Sequence, residues 1–166
     1  MYRLPYSFNC FPAACKTYYE TVRRNFRFSQ PDLAVEAEAV KNAARSRQRR
    51  KRLLEARQSV LVPDDMDFWR GVTIDLMSDE EDCIQEGVSG WIVRPPFFRS
   101  EELSNLCARL QDCLDSNPKY TATHRRRLPV VGAHSDRMPP TAYPSEAAER
   151  HLNPLLMPQA PARYRL

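Results

Sequence analysis

Residues 32–58, DLAVEAEAVKNAARSRQRRKRLLEARQ, contain no glycine or proline and are dominated by Ala, Leu, Arg, Lys, Glu and Gln. A stretch of this kind favours one continuous α-helix, about 40 Å long at 1.5 Å per residue. Its charge then limits where the helix can lie. Between positions 41 and 57, eight basic residues (Lys41, Arg45, Arg47, Arg49, Arg50, Lys51, Arg52 and Arg57) stand against a single acid, Glu55. From Arg45 to Arg52 the basic side chains fall almost all round the axis. Such a helix is expected to project into water or onto a polyanion rather than pack in a core.

The segment before it predicts a partner. From Pro12 to Phe28, Cys15, Tyr18, Tyr19, Val22 and Phe26 recur at i, i+3, i+4, i+7 and i+11, one face of an amphipathic helix. Ser29-Gln30-Pro31-Asp32 has the S-x-x-D form of a capping box and is expected to start the basic helix. Leu33, Ala37, Val40 and Ala44 give that helix an apolar edge in its first half, so the two helices are expected to fold back as a helical hairpin over residues 1–62.

Charge is segregated along the rest of the chain. Residues 1–60 carry 13 Lys and Arg against 5 Asp and Glu, residues 61–118 carry 4 against 13, and residues 119–166 carry 8 against 3. Residues 63–90 are expected to be an acidic linker. Within 91–118, Trp91-Ile92-Val93 predicts a short strand stopped by Pro95-Pro96, and Ser100 caps an amphipathic helix from Glu101 to Asp115 with a stripe of Leu103, Leu106, Cys107, Leu110 and Leu114. Seven of the 14 prolines fall from Leu128 onward. Residues 119–166 are therefore expected to be a disordered, basic, proline-rich tail with a short helical turn at Ser145–His151. The fold class expected is mainly α.

A helix this basic can neutralise several phosphates, and nucleic-acid association through Lys41–Arg57 is the first functional expectation. The words KNAARSRQRRKRLLEA resemble the DNA-contacting basic region of bZIP transcription factors, with Asn42, the Ala43-Ala44 pair and Ser46-Arg47. Two residues usually separate the Asn from the Ala pair in that family; here they adjoin. Leu54 and Leu61 lie one heptad apart, but Pro63 interrupts the repeat, so phosphate contact is expected rather than zipper-paired base reading. Arg49-Arg50-Lys51-Arg52 is also a compact cluster suited to an import receptor, which predicts a nuclear location, with the cytoplasm as the alternative. The order of basic helix, MSDEED, WIVRPPFFRS and amphipathic helix is similar to that of uncharacterised animal open reading frames, some derived from mobile elements. That resemblance implies no particular activity.

The competing expectation is a non-catalytic adaptor. Val72, Ile74 and Leu76 alternate with polar residues, and Asp79, Glu80 and Glu81 follow, a pattern resembling a SUMO-interacting motif that adds a strand to a partner's sheet. The Leu103–Leu114 stripe would serve a partner too. Ser78, followed by four acids, resembles a casein kinase 2 acceptor, and a phosphate there would add about −1.5 to −2 charge.

Catalysis is not expected. The chain has no glycine-rich phosphate loop, no G-x-S-x-G and no H-E-x-x-H. Five cysteines without a C-x-x-C pair predict neither a disulfide framework nor a zinc site, and no cofactor or small-molecule substrate is expected. No apolar run reaches the roughly 18 to 20 residues that span a bilayer, so no membrane association is expected either.

Overall fold

Helix α1 spans Cys10–Phe28 in the computed structural model, which describes residues 10–143 and 145–156 and divides into two units, 1–44 and 45–166. Ser29 does not box the second helix. Its hydroxyl donates to the Phe26 carbonyl at 2.7 Å, closing α1, because helix ends leave carbonyls without intrahelical partners. A 3-10 turn at Pro31–Leu33 leads into α2 at Ala34–Gln58; Gln30 precedes the turn without capping it, its side-chain amide donating back to the Phe26 carbonyl at 3.3 Å.

Within the first unit the aromatic stripe expected to pack in the hairpin stays open: Tyr18, Tyr19 and Phe26 are 73%, 65% and 70% exposed, and Val35 and Val40 are exposed as well. Of the expected apolar edge of the second helix, Ala37 is buried and Leu33 half-buried, and Arg27 pairs with Glu36 at 3.8 Å.

The second unit holds the core. After α2, a 3-10 turn at Pro63–Asp65 runs into the short helix α3, Met66–Trp69. Strands β1 (Asp79–Gln85) and β2 (Val88–Arg94) form an antiparallel hairpin in which Asp82 pairs with Trp91. Glu86 and Gly87 both take positive φ, 51° and 79°, at its tip, the backbone handedness of a tight hairpin turn. Helix α4, Glu101–Asp115, starts where expected: Ser100 Oγ accepts from Leu103 N at 3.2 Å. Its stripe finds its partners inside the chain. Leu103, Leu106, Cys107 and Leu110 pack with Leu53, Trp69, Leu76, Met77, Phe98, Ala148 and Leu152. Each fully buried leucine contributes about 1.5–3 kcal/mol by leaving water. The adaptor expectation thus loses its leucine surface to the protein's own core.

Residues 119–143 and 145–156 are not a disordered tail. Asn117 caps α5 (Pro118–Thr123), β3 (Arg127–Val131) adds in parallel to β2, and α6 occupies Ser145–His151 as expected. Residues 157–166 of the expected tail lie outside the described residues. Three tethers hold this region: Gly132 N donates to Val93 O at 2.9 Å, Ser100 Oγ to Arg150 O at 2.8 Å, and Asn153 N to Phe98 O at 2.8 Å. Close approach matters at Gly90, where a Cβ would come within 2.8 Å of the Arg126 carbonyl and of Leu128. The protein is mainly helical with a small three-stranded sheet in the order β1-β2-β3. Among the described residues no helix is long and apolar enough to cross a membrane.

Candidate functional site

The basic helix and the acidic run meet. Ser46, Arg49, Arg50, Leu53 and Arg57 recur at i, i+3, i+4, i+7 and i+11 of α2, so they share one side, and that side is buried or half-buried. Opposite it stands Asp79, itself buried. One of its oxygens accepts from Ser46 Oγ and Arg50 Nη1, each at 2.5 Å, and the other from Ser135 Oγ at 2.5 Å and Arg137 Nε at 2.7 Å. Burial alone would raise the Asp79 pKa, but the bonds from Ser135, Ser46 and Arg137 outweigh it and bring it down to about 2.

Glu80 and Asp82 continue the pairing. Glu80 Oε1 accepts from Arg127 Nε at 2.8 Å, and its carbonyl from Arg49 Nη1 at 2.7 Å. Asp82 is shared by Arg49 Nη2 and Arg125 Nη1, both at 2.6 Å, and by the indole N–H of Trp91 at 3.0 Å. These contacts, the Arg49 bond foremost, hold the Asp82 carboxyl below its ordinary range. The expectation that the helix from Arg45 to Arg52 cannot pack in a core is therefore overturned at Arg49 and Arg50, and Arg57 is buried as well. Carboxylates supply the counter-charge for the first two. Arg57 is the exception: among the described residues its guanidinium has only Met77 Sδ and Gln111 Oε1, each at 3.5 Å, and burial lowers its pKa to about 10.

The expected docking segment is placed differently. Ile74–Leu76 is a 3-10 turn rather than a strand, Leu76 and Met77 are fully buried, and Val72 and Ile74 are half-buried. Arg137 pins that turn by donating to the Asp75 and Met77 carbonyls at 2.7 and 2.6 Å. The strand begins three residues later, in the acids. Asp79 and Glu80 are buried, and Glu81 pairs with Arg94 at 3.0 Å, which leaves no exposed alternating edge at 72–76. Ser78 is buried too, with Arg99 Nη1 at 3.4 Å from its hydroxyl, so a kinase has no access to it in this fold.

What α2 presents to solvent is its other side. Arg45, Arg47, Lys51 and Arg52 are exposed; Lys51 reaches Glu55 at 3.8 Å, and Arg47 and Arg52 have no ion pair among the described residues. Lys41, in the first unit, is exposed and lies 3.8 Å from Glu38. Leu54 and Leu61 pack against the core, so they are not available as a zipper seam.

Beside this helix the second unit opens a cleft of two adjoining recesses, about 430 and 220 Å³, both lined by Trp91, Tyr120 and His124. Tyr120 on α5 and His124, the residue that caps its C-terminus, stack with ring centroids 3.8 Å apart and planes 17° from parallel. Arg49 lies over the Trp91 ring at 4.9 Å from its centroid. Arg52 lines the smaller recess and Arg126 the larger. The sequence reading missed Tyr120, His124 and Arg125–Arg127 because they fall in the segment assigned to a tail. The aromatic-basic cluster KYTATHRRR is the signal that marks them.

Comparison with known proteins gives a family. Residues 5–153 match the family described as Domain of unknown function (DUF4616), and the chain belongs to it. It is 40% identical over 130 residues to the human protein named Uncharacterized protein C14orf93, and 39% identical to the mouse homolog, covering 76% of this chain in each case. The match spans only 22% of the length of those relatives. Both are animal proteins, as the resemblance to animal open reading frames implied. No solved structure matches the chain.

Proposed function

We propose that this member of the family is a non-catalytic, nuclear, nucleic-acid-associated module that contacts phosphates through the outer side of α2. The observation that carries the reading is the division of the basic helix. Arg49 and Arg50 are neutralised from within, while Arg45, Arg47, Lys51 and Arg52 remain exposed on the opposite side. Arg47 and Arg52, which have no ion pair among the described residues, lie in this exposed row; such a row attracts a polyanion, and each phosphate it neutralises releases counterions. The resemblance of KNAARSRQRRKRLLEA to a bZIP basic region accords with phosphate contact, not base reading, because Leu54 and Leu61 pack against the core. Nuclear import is the weaker part of the proposal: of Arg49-Arg50-Lys51-Arg52, a receptor meets only Lys51 and Arg52 at the surface.

The test is fluorescence anisotropy with a labelled DNA duplex at several salt concentrations, comparing the intact chain with an Arg47→Ala, Lys51→Ala, Arg52→Ala variant. Arg49 and Arg50 are left in place because they hold the fold. Each lost phosphate contact should reduce the slope of log K against log salt by about 0.9. Unchanged affinity and slope in the variant would remove this face from consideration.

A further inference from the structure

The cleft beside α2 shares Arg52 with the duplex-contacting face but adds aromatic rings that the outer side of the helix does not have. Three half-buried rings, Trp91, Tyr120 and His124, line both recesses, and the guanidinium groups of Arg52 and Arg126 flank them. The other arginines that line the cleft are committed to carboxylates: Arg49 and Arg125 to Asp82, Arg127 to Glu80. Arg52, on the smaller recess, and Arg126, on the larger, have no ion pair among the described residues. Flat rings beside uncommitted guanidinium groups match a ligand that alternates planar bases with phosphates.

We propose that this cleft binds single-stranded nucleic acid, a base stacking against the Trp91 and Tyr120–His124 rings while Arg52 and Arg126 hold the adjoining phosphates. The choice of ligand rests on the nucleic-acid reading given above, and the assignment adds strand selectivity to it. A duplex keeps its bases stacked on one another and can offer the rings only its backbone; a single strand can turn a base into the recess. The recesses are built by tertiary structure that also holds them open. Asp82 fixes the indole of Trp91 through its N–H at 3.0 Å, and His124 Nδ1 lies 3.0 Å from the Tyr120 carbonyl. Rings already positioned lose little freedom when a base arrives.

The experiment titrates the full chain with labelled oligo-dT, oligo-rU and a DNA duplex of equal length, reading anisotropy and tryptophan fluorescence. Trp69 is buried, so quenching reports on Trp91. The expected result is tighter binding of the single strands, with quenching. Tyr120→Ala and Arg126→Ala should each weaken single-strand binding, roughly tenfold or more for the tyrosine, and leave duplex binding unchanged. Tyr120→Phe keeps the ring and should keep the affinity, which separates stacking from a folding defect. The dT and rU arms decide whether the strand is DNA or RNA. Equal binding of single strand and duplex, unchanged by Tyr120→Ala and Arg126→Ala but lost with the α2 variant, overturns the cleft and spares the helix. No binding of any of the three at low salt overturns both.

Discussion

Arg50 Nη1 lies 2.5 Å from Asp79 Oδ1, and the two side chains are only 9% and 8% exposed. A helix that ought to be all surface is thereby fastened to a strand that ought to be an open linker. Removing the carboxylate leaves Arg50 as a buried charge without its counter-charge, so Asp79→Asn should lower stability by roughly 3–5 kcal/mol. Urea unfolding followed by circular dichroism checks this, and a loss below about 1 kcal/mol would contradict the role given to the pair.

Acid should act through the same residue. The Asp79 pKa is lowered in the folded state to about 2 from 3.8, so its contribution is complete above the unfolded value and is lost as pH falls through the window between them. The shift corresponds to roughly 2 kcal/mol. A stability profile from pH 5 to pH 2 should fall steeply in the intact chain and more shallowly in Asp79→Asn.

Arg57 makes the opposite prediction. It is buried with contacts no shorter than 3.5 Å to Met77 Sδ and Gln111 Oε1, and its Nε has no partner among the described residues. Arg57→Met keeps an unbranched apolar stem in the core and removes a poorly compensated charge. The urea midpoint should stay level or rise, by about 1 kcal/mol or more in stability. A drop of several kcal/mol would mean that the guanidinium holds something its contacts do not account for.

His151 should make stability sensitive near neutral pH. Its Nε2 lies 2.6 Å from the Phe68 carbonyl, which requires an N–H there, and its Nδ1 lies 2.8 Å from the Tyr143 hydroxyl. Burial lowers its pKa despite the bond to Phe68, with Arg150 adding to the effect, so the neutral ring is favoured in the folded state. The contribution is present above the unfolded value of about 6.5 and is lost as pH falls below it. Melting temperatures between pH 7.5 and 5.5 should decline in the intact chain and vary less in His151→Gln, which cannot titrate and whose amide N–H can still donate to the Phe68 carbonyl.

The hairpin tip offers a stabilising change. Glu86 adopts φ 51°, a left-handed conformation that suits asparagine better than glutamate. Glu86→Asn should raise stability by about 0.5 kcal/mol, visible as a small increase in melting temperature.

The sequence by itself determined the elements with strong local causes. α4 runs from Ser100's cap through a leucine stripe, α6 occupies the expected Ser145–His151, and α2 follows from a helix-forming run free of glycine and proline. Local propensity and period suffice for these because the information lies within a few turns of chain. Where charges end up is a different matter. Arg50 and Asp79 are 29 residues apart, and Arg137 is a further 58 beyond Asp79. Only tertiary structure decides that one side of a basic helix is neutralised, that VTIDL is sealed beneath an arginine, and that a proline-rich segment becomes β3 and α5. A charge is costly to bury alone and tolerable when paired, so which face of α2 is free depends on partners that no local pattern can name. For the same reason the cleft of Trp91, Tyr120 and His124 exists only once β2 and α5 have been brought together.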